Sequence, residues 1–138
     1  ADLTDISNYA QVSNFAYRIL RRLLPGAYTF VLPATKETPK LLRSRQKTVG
    51  IRIPDHTVST GLVTQLGRPL LSTSANRSDQ DTITDPFTLE EELGNEVDLI
   101  LECGELPVLP SSVVSLIGDE IEILREGSGD LSLLRESV

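Results

Sequence analysis

The spacing of apolar residues along the chain predicts helices that alternate with short strands. Apolar positions recur with helical spacing over residues 9–23 and 58–66, and a short acidic helix is expected over 85–93. Apolar runs rich in β-branched and aromatic residues predict strands. These lie at residues 28–32, 48–54, 69–73, 97–101, 112–117 and 120–124. The alternation indicates an α/β fold, and the closing hairpin requires a mixed sheet.

Polar residues at the predicted boundaries indicate where the helices begin and end. Ser13 is a candidate N-cap for the second of two helical pieces in the first 24 residues, and Pro25-Gly26 ends that piece. His56 is the only histidine and is expected to cap the next helix or to lie on the surface. The apolar side chains of that helix are expected to form a buried stripe. They are Val58, Leu62, Val63 and Leu66.

Length and composition are those of a single domain over residues 1–138, with 39% hydrophobic and 24% charged residues. No apolar run is long enough to cross a bilayer, so we expect a soluble, cytoplasmic protein without a membrane partner. Cys103 is the only cysteine and cannot form an internal disulfide. Its apolar, strand-like surroundings predict a buried thiol.

Charge is distributed unevenly along the chain, whose net charge is −7. Residues 1–78 carry 11 Lys and Arg against 4 Asp and Glu, whereas residues 79–138 carry 2 against 16. The densest basic segment can attract phosphate groups, although such a cluster is also typical of a solvated surface. Its cations are Lys36, Lys40, Arg43, Arg45, Lys47 and Arg52.

Four clusters of hydroxyl, amide or guanidinium groups lie where predicted strands meet loops. They are Thr48 with Arg52, residues 72–76, Ser111-Ser112, and residues 125–127. Such groups bind phosphates and carboxylates, although each cluster alone is also typical of a turn or a helix cap. The sequence has no Gly-rich phosphate loop, no metal-ligand spacing and no nucleophile elbow. We therefore assign no catalytic residue and no metal ligand.

In order and spacing, five segments resemble the YrdC-like family of L-threonylcarbamoyl-AMP synthases. They are PGAYTFVL (25–32), TVGIRIP (48–54), PLLSTSAN (69–76), PSSVV (110–114) and ILREG (123–127). The resemblance implies a twisted, open α/β sheet with flanking helices. It also implies a reaction in which ATP with Mg²⁺, L-threonine and bicarbonate give threonylcarbamoyl-AMP and pyrophosphate. That product is the precursor for a threonylcarbamoyl modification of tRNA adenosine.

The same resemblance implies roles for individual residues. Ser74 and Asn76 would hold the nucleotide, and Arg125 would contact its phosphate or ribose. No tightly bound cofactor is implied beyond the ATP and Mg²⁺ substrate complex.

For the amino-acid substrate, the resemblance implies that Thr48, Arg52 and Ser111 position L-threonine, with Arg52 pairing with its carboxylate. Catalysis would then consist mainly of aligning a carbamate with the α-phosphate and neutralising charge.

Two departures from the family keep a second function open. The chain lacks the Pro-Thr-Asp-like segment and the Lys-x-Arg motif that family members carry earlier, so we expect roughly the first third of the domain to be missing. The sequence Pro-Gly-Ala-Tyr-Thr-Phe at 25–30 is similar to the YciO-type branch. The alternative to a synthase is therefore a YciO-like paralogue that binds nucleotide or double-stranded RNA, with tRNA or duplex RNA bound along the basic segment.

Overall fold

The computed structural model describes residues 3–135, which fall into two compact units. The first unit combines residues 1–70 with residues 110–138, and the second consists of residues 71–109. Residues 1–2 and 136–138, at the ends of the predicted domain, lie outside the described residues. That residues 1–138 form one domain stays a prediction.

The first unit begins with two short helices, α1 (Leu3–Tyr9) and α2 (Asn14–Leu23). Ser13 caps α2 as predicted, because its hydroxyl accepts a hydrogen bond from the Ala16 amide at 3.1 Å. The same hydroxyl donates to Asp119 at 2.6 Å, which links the start of α2 to a residue 106 positions later in the chain. Ala16, Ile19, Leu20 and Leu23 form the buried face of α2.

A mixed four-stranded sheet follows, as the α/β pattern predicted. Its strands are β1 (Tyr28–Pro33), β2 (Thr48–Ile51), β3 (Ser112–Ser115) and β4 (Glu122–Arg125). The spatial order is β2-β1-β3-β4, in which β1 and β3 are parallel and the two outer pairs are antiparallel. The turn between β3 and β4 is a 3-10 helix (Ile117–Asp119) in which Gly118 has a φ of 69°, a conformation that favours glycine.

The core lies between one face of this sheet and helices α1 and α2. Burial alternates along β1, so Tyr28, Phe30 and Leu32 point into the core. Val49 and Val114 extend the same apolar layer from the neighbouring strands. Leu134, on the short helix α5 (Ser132–Arg135), is also buried in this cluster.

Helix α3 (Thr57–Leu66) forms where the pattern predicted it, and His56 is its N-cap. The prediction of a buried stripe is wrong, because Val58, Leu62 and Leu66 are 52%, 45% and 43% exposed. Apolar spacing specifies which side chains share a face of a helix, but burial also needs a surface for that face to pack against.

The second unit contains helix α4 (Pro86–Leu93), which Asp85 caps through the Thr88 amide at 2.8 Å. Outside α4, most of this unit is irregular backbone in the described residues. It is held by local bonds such as that from Arg77 to Glu96 at 2.5 Å and that from the Leu106 amide to the Thr84 carbonyl at 3.1 Å.

Two predicted strands, at 69–73 and 97–101, are wrong, because neither segment pairs with another strand among the described residues. Leu71 is 70% exposed and Leu99 is 73% exposed. β-propensity reflects a fit to a paired, half-buried surface, and without that pairing these segments do not form strands. Cys103 is exposed rather than buried for the same reason, since its surroundings are not a strand.

Within residues 3–135, no helix is long and apolar enough to span a membrane.

Candidate functional site

The second face of the sheet, opposite the core, gathers four of the six predicted site residues. Thr29 and Val31 alternate with the core residues of β1 and therefore lie on this face. Register pairs Val31 with Gly50 and Pro33 with Thr48, which places Gly50 and Thr48 on the same face. Opposed residues of an antiparallel pair share a face.

Arg52 continues this face just beyond the end of β2. Burial alternates through Ile51, Arg52 and Ile53, and the arginine is the exposed member of the three. Its side chain therefore points away from the core, on the same side as Gly50. The β1–β2 pairing ends at Phe30 with Ile51, so Thr29 and Arg52 follow directly at the same end of the pairing.

Ser111 and Arg125 form the other end of this face. The Ser111 hydroxyl is 2.7 Å from the Thr29 hydroxyl, although 82 residues separate the two in the chain. Arg125 donates from Nε and Nη2 to the Ser111 carbonyl, at 3.2 and 2.8 Å. Nη2 also lies 3.4 Å from the Ser111 hydroxyl. The three polar side chains form one connected cluster, and Arg125 keeps Nη1 for a ligand.

The neighbouring glycine explains how Arg125 reaches Ser111. A Cβ added at Gly127 would lie 2.4 Å from the Pro110 carbonyl oxygen, so only glycine allows the end of β4 to approach so closely. The Gly127 amide donates to the Ser112 hydroxyl at 3.0 Å, and that hydroxyl donates to the Gly129 carbonyl at 2.8 Å. Ser112 thus fixes the loop, while the adjacent Ser111 faces the polar cluster.

The hydroxyl of Thr48 is engaged in a local turn. It shares a hydrogen bond of 2.7 Å with the Ser44 hydroxyl, which also accepts from the Thr48 amide at 3.0 Å. Lys47, in the same turn, has a φ of 59°. A substrate at this position would therefore compete with Ser44 for the Thr48 hydroxyl.

The basic segment divides into one structural arginine and several exposed cations. Arg43 donates from Nε to the Thr38 carbonyl at 2.6 Å and from Nη2 to the Lys36 carbonyl at 2.5 Å. These two bonds close the loop between β1 and β2. The exposed members are Lys36, Lys40, Arg45, Lys47 and Arg52.

The two residues predicted to hold the nucleotide, Ser74 and Asn76, lie in the second unit. Asn76 donates from Nδ2 to the Arg77 carbonyl at 2.8 Å, and its amide donates to the Ser74 carbonyl at 3.2 Å. Its Oδ1 is a buried acceptor without a hydrogen-bond partner. Leaving such an acceptor unpaired costs about 1–3 kcal/mol, which a donor group of a ligand could recover.

The structure thus places Thr48, Arg52, Ser111 and Arg125 on one face of the first unit. Ser74 and Asn76 lie close together in the second unit. Thr29 was not predicted as a site residue. Its position between two core residues of β1 indicates that it faces away from the core, on the same side as Ser111 and Arg125.

Two carboxylates of the described chain have lowered pKa values. Hydrogen bonds from the Thr88 amide and hydroxyl hold the pKa of Asp85 below its usual value, and bonds from Ser132 do the same for Asp130. Burial, with the nearby Asp130 charge, raises the pKa of the Tyr28 phenol. None of these groups is among the predicted site residues. Among residues 3–135, no group of three or more His, Cys, Asp or Glu side chains is arranged to hold a metal ion.

Comparison with known proteins was made for both sequence and structure. The Sua5/YciO/YrdC family model, described as "Telomere recombination", matches residues 1–127. The uncharacterized protein YciO of Escherichia coli is 39% identical over 94% of this chain and 64% of YciO. The crystal structure of E. coli YciO matches with a TM-score of 0.87.

Two further relatives have names that state an activity or a ligand. A threonylcarbamoyl-AMP synthase of Vibrio vulnificus is 33% identical over 76% of this chain and 59% of that protein. The crystal structure of P. abyssi Sua5 complexed with L-threonine matches with a TM-score of 0.90 and 25% identity, over 100% of this chain and 41% of that one. The chain therefore spans less than two thirds of the length of these relatives.

Proposed function

The chain belongs to the Sua5/YciO/YrdC family, and from that membership we propose that its protein is an L-threonylcarbamoyladenylate synthase. The proposed reaction takes ATP with Mg²⁺, L-threonine and bicarbonate to threonylcarbamoyl-AMP and pyrophosphate, for the modification of tRNA adenosine. The synthase relative of V. vulnificus supports this activity, and the P. abyssi Sua5 structure with L-threonine supports the substrate.

The observation that carries the proposal is the shared face of the sheet in the first unit. Thr48 and Arg125 lie on β2 and β4, and Arg52 and Ser111 flank β2 and β3, yet all four lie opposite the core. Two of them are arginines, which provide planar, permanently charged donors for carboxylates and phosphates. A substrate that carries a carboxylate at one end and a phosphate at the other matches this distribution of charge.

The chemistry of the reaction is compatible with such a face. The threonine amine attacks bicarbonate and water leaves, which gives a carbamate. A carbamate oxygen then attacks the α-phosphorus of ATP, and the bond to the β-phosphate oxygen breaks to release pyrophosphate. Under the proposal, Arg52 holds the threonine carboxylate and Arg125 neutralises phosphate charge, so that these residues act by alignment and charge rather than by proton transfer.

Asn76 supports the assignment of the second unit to the nucleotide. Its unpartnered Oδ1 could accept a hydrogen bond from the amino group of adenine or from a ribose hydroxyl. Ser74, whose carbonyl already accepts from the Asn76 amide, would add a hydroxyl donor from the same loop.

A second candidate function rests on the basic segment and on YciO. Identity is 39% to E. coli YciO and 33% to the V. vulnificus synthase. Lys40, Arg45 and Lys47 are exposed on the loop between β1 and β2. A YciO-like protein that binds nucleotide or double-stranded RNA would use these cations to contact the phosphates of the RNA.

Pyrophosphate release by the intact gene product tests the synthase proposal. We expect release from ATP only when L-threonine and bicarbonate are both present. Arg52→Ala should lower kcat/KM for threonine about 100-fold and Asn76→Ala about 10-fold, as expected when a charged and a neutral hydrogen bond are removed. Arg18→Ala, which removes an exposed arginine of α2, is the matched control and should leave activity unchanged. Pyrophosphate release that does not depend on threonine would contradict the assignment.

Retention of duplex RNA tests the second candidate. Binding at moderate salt should be lost when Lys40, Arg45 and Lys47 are changed together to Gln, because each phosphate contact releases counterions. Arg43 is left unchanged in this variant, since it holds the loop through backbone carbonyls. RNA binding that survives the triple change would show that the basic segment is not the RNA interface.

A further inference from the structure

Thr29 lies at the centre of the second face of the sheet. It is half-buried, it lies next to Gly50 on β2, and its hydroxyl contacts Ser111 at 2.7 Å. The β1–β2 pairing ends at Phe30 with Ile51, so Thr29 and Arg52 are the residues that follow directly at that end of the pairing. Thr29 therefore contacts the serine proposed for the substrate and lies at the same end of the strand pair as the arginine proposed for its carboxylate.

The Thr29 hydroxyl keeps hydrogen-bonding capacity beyond its bond to Ser111. Arg125 can only donate, and its Nη2 lies 3.4 Å from the Ser111 hydroxyl oxygen. The Ser111 oxygen has two lone pairs, so either hydroxyl can donate across the 2.7 Å bond. In both cases the Thr29 oxygen keeps at least one lone pair for a substrate hydroxyl above the sheet.

Gly50 lies beside the methyl group of Thr29 on the same face of the sheet. It is exposed, and a Cβ added there would lie 3.3 Å from Cγ2 of Thr29. Glycine weakens a strand because it has no side chain to pack, so a glycine on an exposed face is typical of a place where another molecule approaches the backbone.

We propose that Thr29 is a specificity-determining residue that binds the side-chain hydroxyl of the amino-acid substrate, with Gly50 leaving room for that side chain. This inference rests on the proposed function and names the residue that would recognise the side chain of the substrate. The Arg125–Ser111–Thr29 chain fixes the position of the Thr29 hydroxyl, while Arg52, just beyond the end of β2, holds the carboxylate.

A site built to bind a hydroxyl rejects an analogue that lacks it far more strongly than a purely apolar pocket does. L-valine has the shape of L-threonine with a methyl group in place of the hydroxyl. Thr29 should therefore determine the ratio of kcat/KM for threonine to that for valine, and not merely the overall activity.

The test compares Thr29→Val, which keeps the shape and removes the hydroxyl, with Thr29→Ser, which keeps the hydroxyl. In the intact gene product, Thr29→Val should lower kcat/KM for threonine by about 10- to 100-fold and leave that for valine within about 2-fold. Thr29→Ser should retain the preference for threonine. An equal loss with both amino acids would show a structural role and overturn the inference, while the synthase assignment would stand.

Binding measurements separate failure of the inference from failure of the proposed function. If wild type binds L-threonine in an NMR titration but releases no pyrophosphate, the synthase assignment fails, and the Kd ratio between threonine and valine still tests Thr29. Thr29→Val should bring the Kd ratio between threonine and valine close to one, and an unchanged ratio would contradict the inference. If wild type neither binds threonine nor turns it over, both proposals are wrong.

Gly50→Ala provides an independent variant on the neighbouring strand. The added methyl group should raise the KM for threonine, because it fills the exposed face of β2 beside the methyl group of Thr29. A KM unchanged in Gly50→Ala would show that the substrate side chain does not lie there, which would overturn the role given to Gly50.

Discussion

The two units of the chain use apolar residues in different ways. In the first unit, Phe30, Leu32 and Val114 are fully buried between a sheet and two helices. In the second unit, Leu71, Leu99 and Leu101 are 60–73% exposed although they belong to equally apolar runs. An apolar run forms a strand only when another strand is present to pair with it, and the two units differ in this respect.

The largest expected effect that tests this difference is on stability. Phe30→Ala removes a fully buried ring from the first unit and should lower the free energy of unfolding by about 3–5 kcal/mol. Leu99→Ala is the matched control in the second unit and should change it by less than about 0.5 kcal/mol. Urea unfolding followed by circular dichroism measures both. Equal losses would show that the two units do not differ in packing.

A smaller effect is expected at the start of α2. Ser13→Ala removes both the cap on Ala16 and the bond to Asp119, and should destabilise the first unit by about 0.5–2 kcal/mol. Ser78→Ala, at an exposed position of the second unit, is the control and should be nearly neutral. A Ser13→Ala variant as stable as wild type would mean that α2 is held by its buried face alone.

The smallest effect concerns pH and is confined to the second unit. Hydrogen bonds from Thr88 lower the pKa of Asp85. The ionised carboxylate therefore stabilises α4 at pH values above the ordinary carboxyl pKa, and this stabilisation is lost as the pH falls through the lowered pKa. The NMR signal of the Thr88 amide should therefore shift in acid.

Asp85→Asn is the control for the pH effect, since it retains an acceptor that does not titrate. The acid shift of the Thr88 amide should be absent in this variant while α4 remains capped. A Thr88 signal that moves equally in both proteins would contradict the assignment to Asp85.

Local features of the fold could be predicted from the sequence. The N-caps Ser13 and His56 depend on residues one turn away, so the local sequence is enough to identify them. The mixed sheet and its closing hairpin were also confirmed. The buried stripe of α3, the strands at 69–73 and 97–101, and the burial of Cys103 were wrong because each depends on a distant packing surface that local spacing does not encode.

The candidate site shows the same limit. Strand ends and motif resemblance identified Thr48, Arg52, Ser111 and Arg125, and their roles in substrate binding stay predictions. The contact between Thr29 and Ser111 joins residues 82 positions apart, and only the parallel pairing of β1 with β3 brings them together. Periodicity gives the face on which a residue lies, but not its neighbours across the sheet.

The parallel pairing of β1 with β3 also has a consequence for the order of events during synthesis. β1 and β2 are adjacent in the chain and can form a hairpin early, whereas β3 begins only at Ser112, after the whole second unit has left the ribosome. Until then the inner edge of β1 has no partner, and unpaired edges recruit other chains. During that interval we expect this edge of the nascent chain to be open to pairing with other chains or to binding by a chaperone.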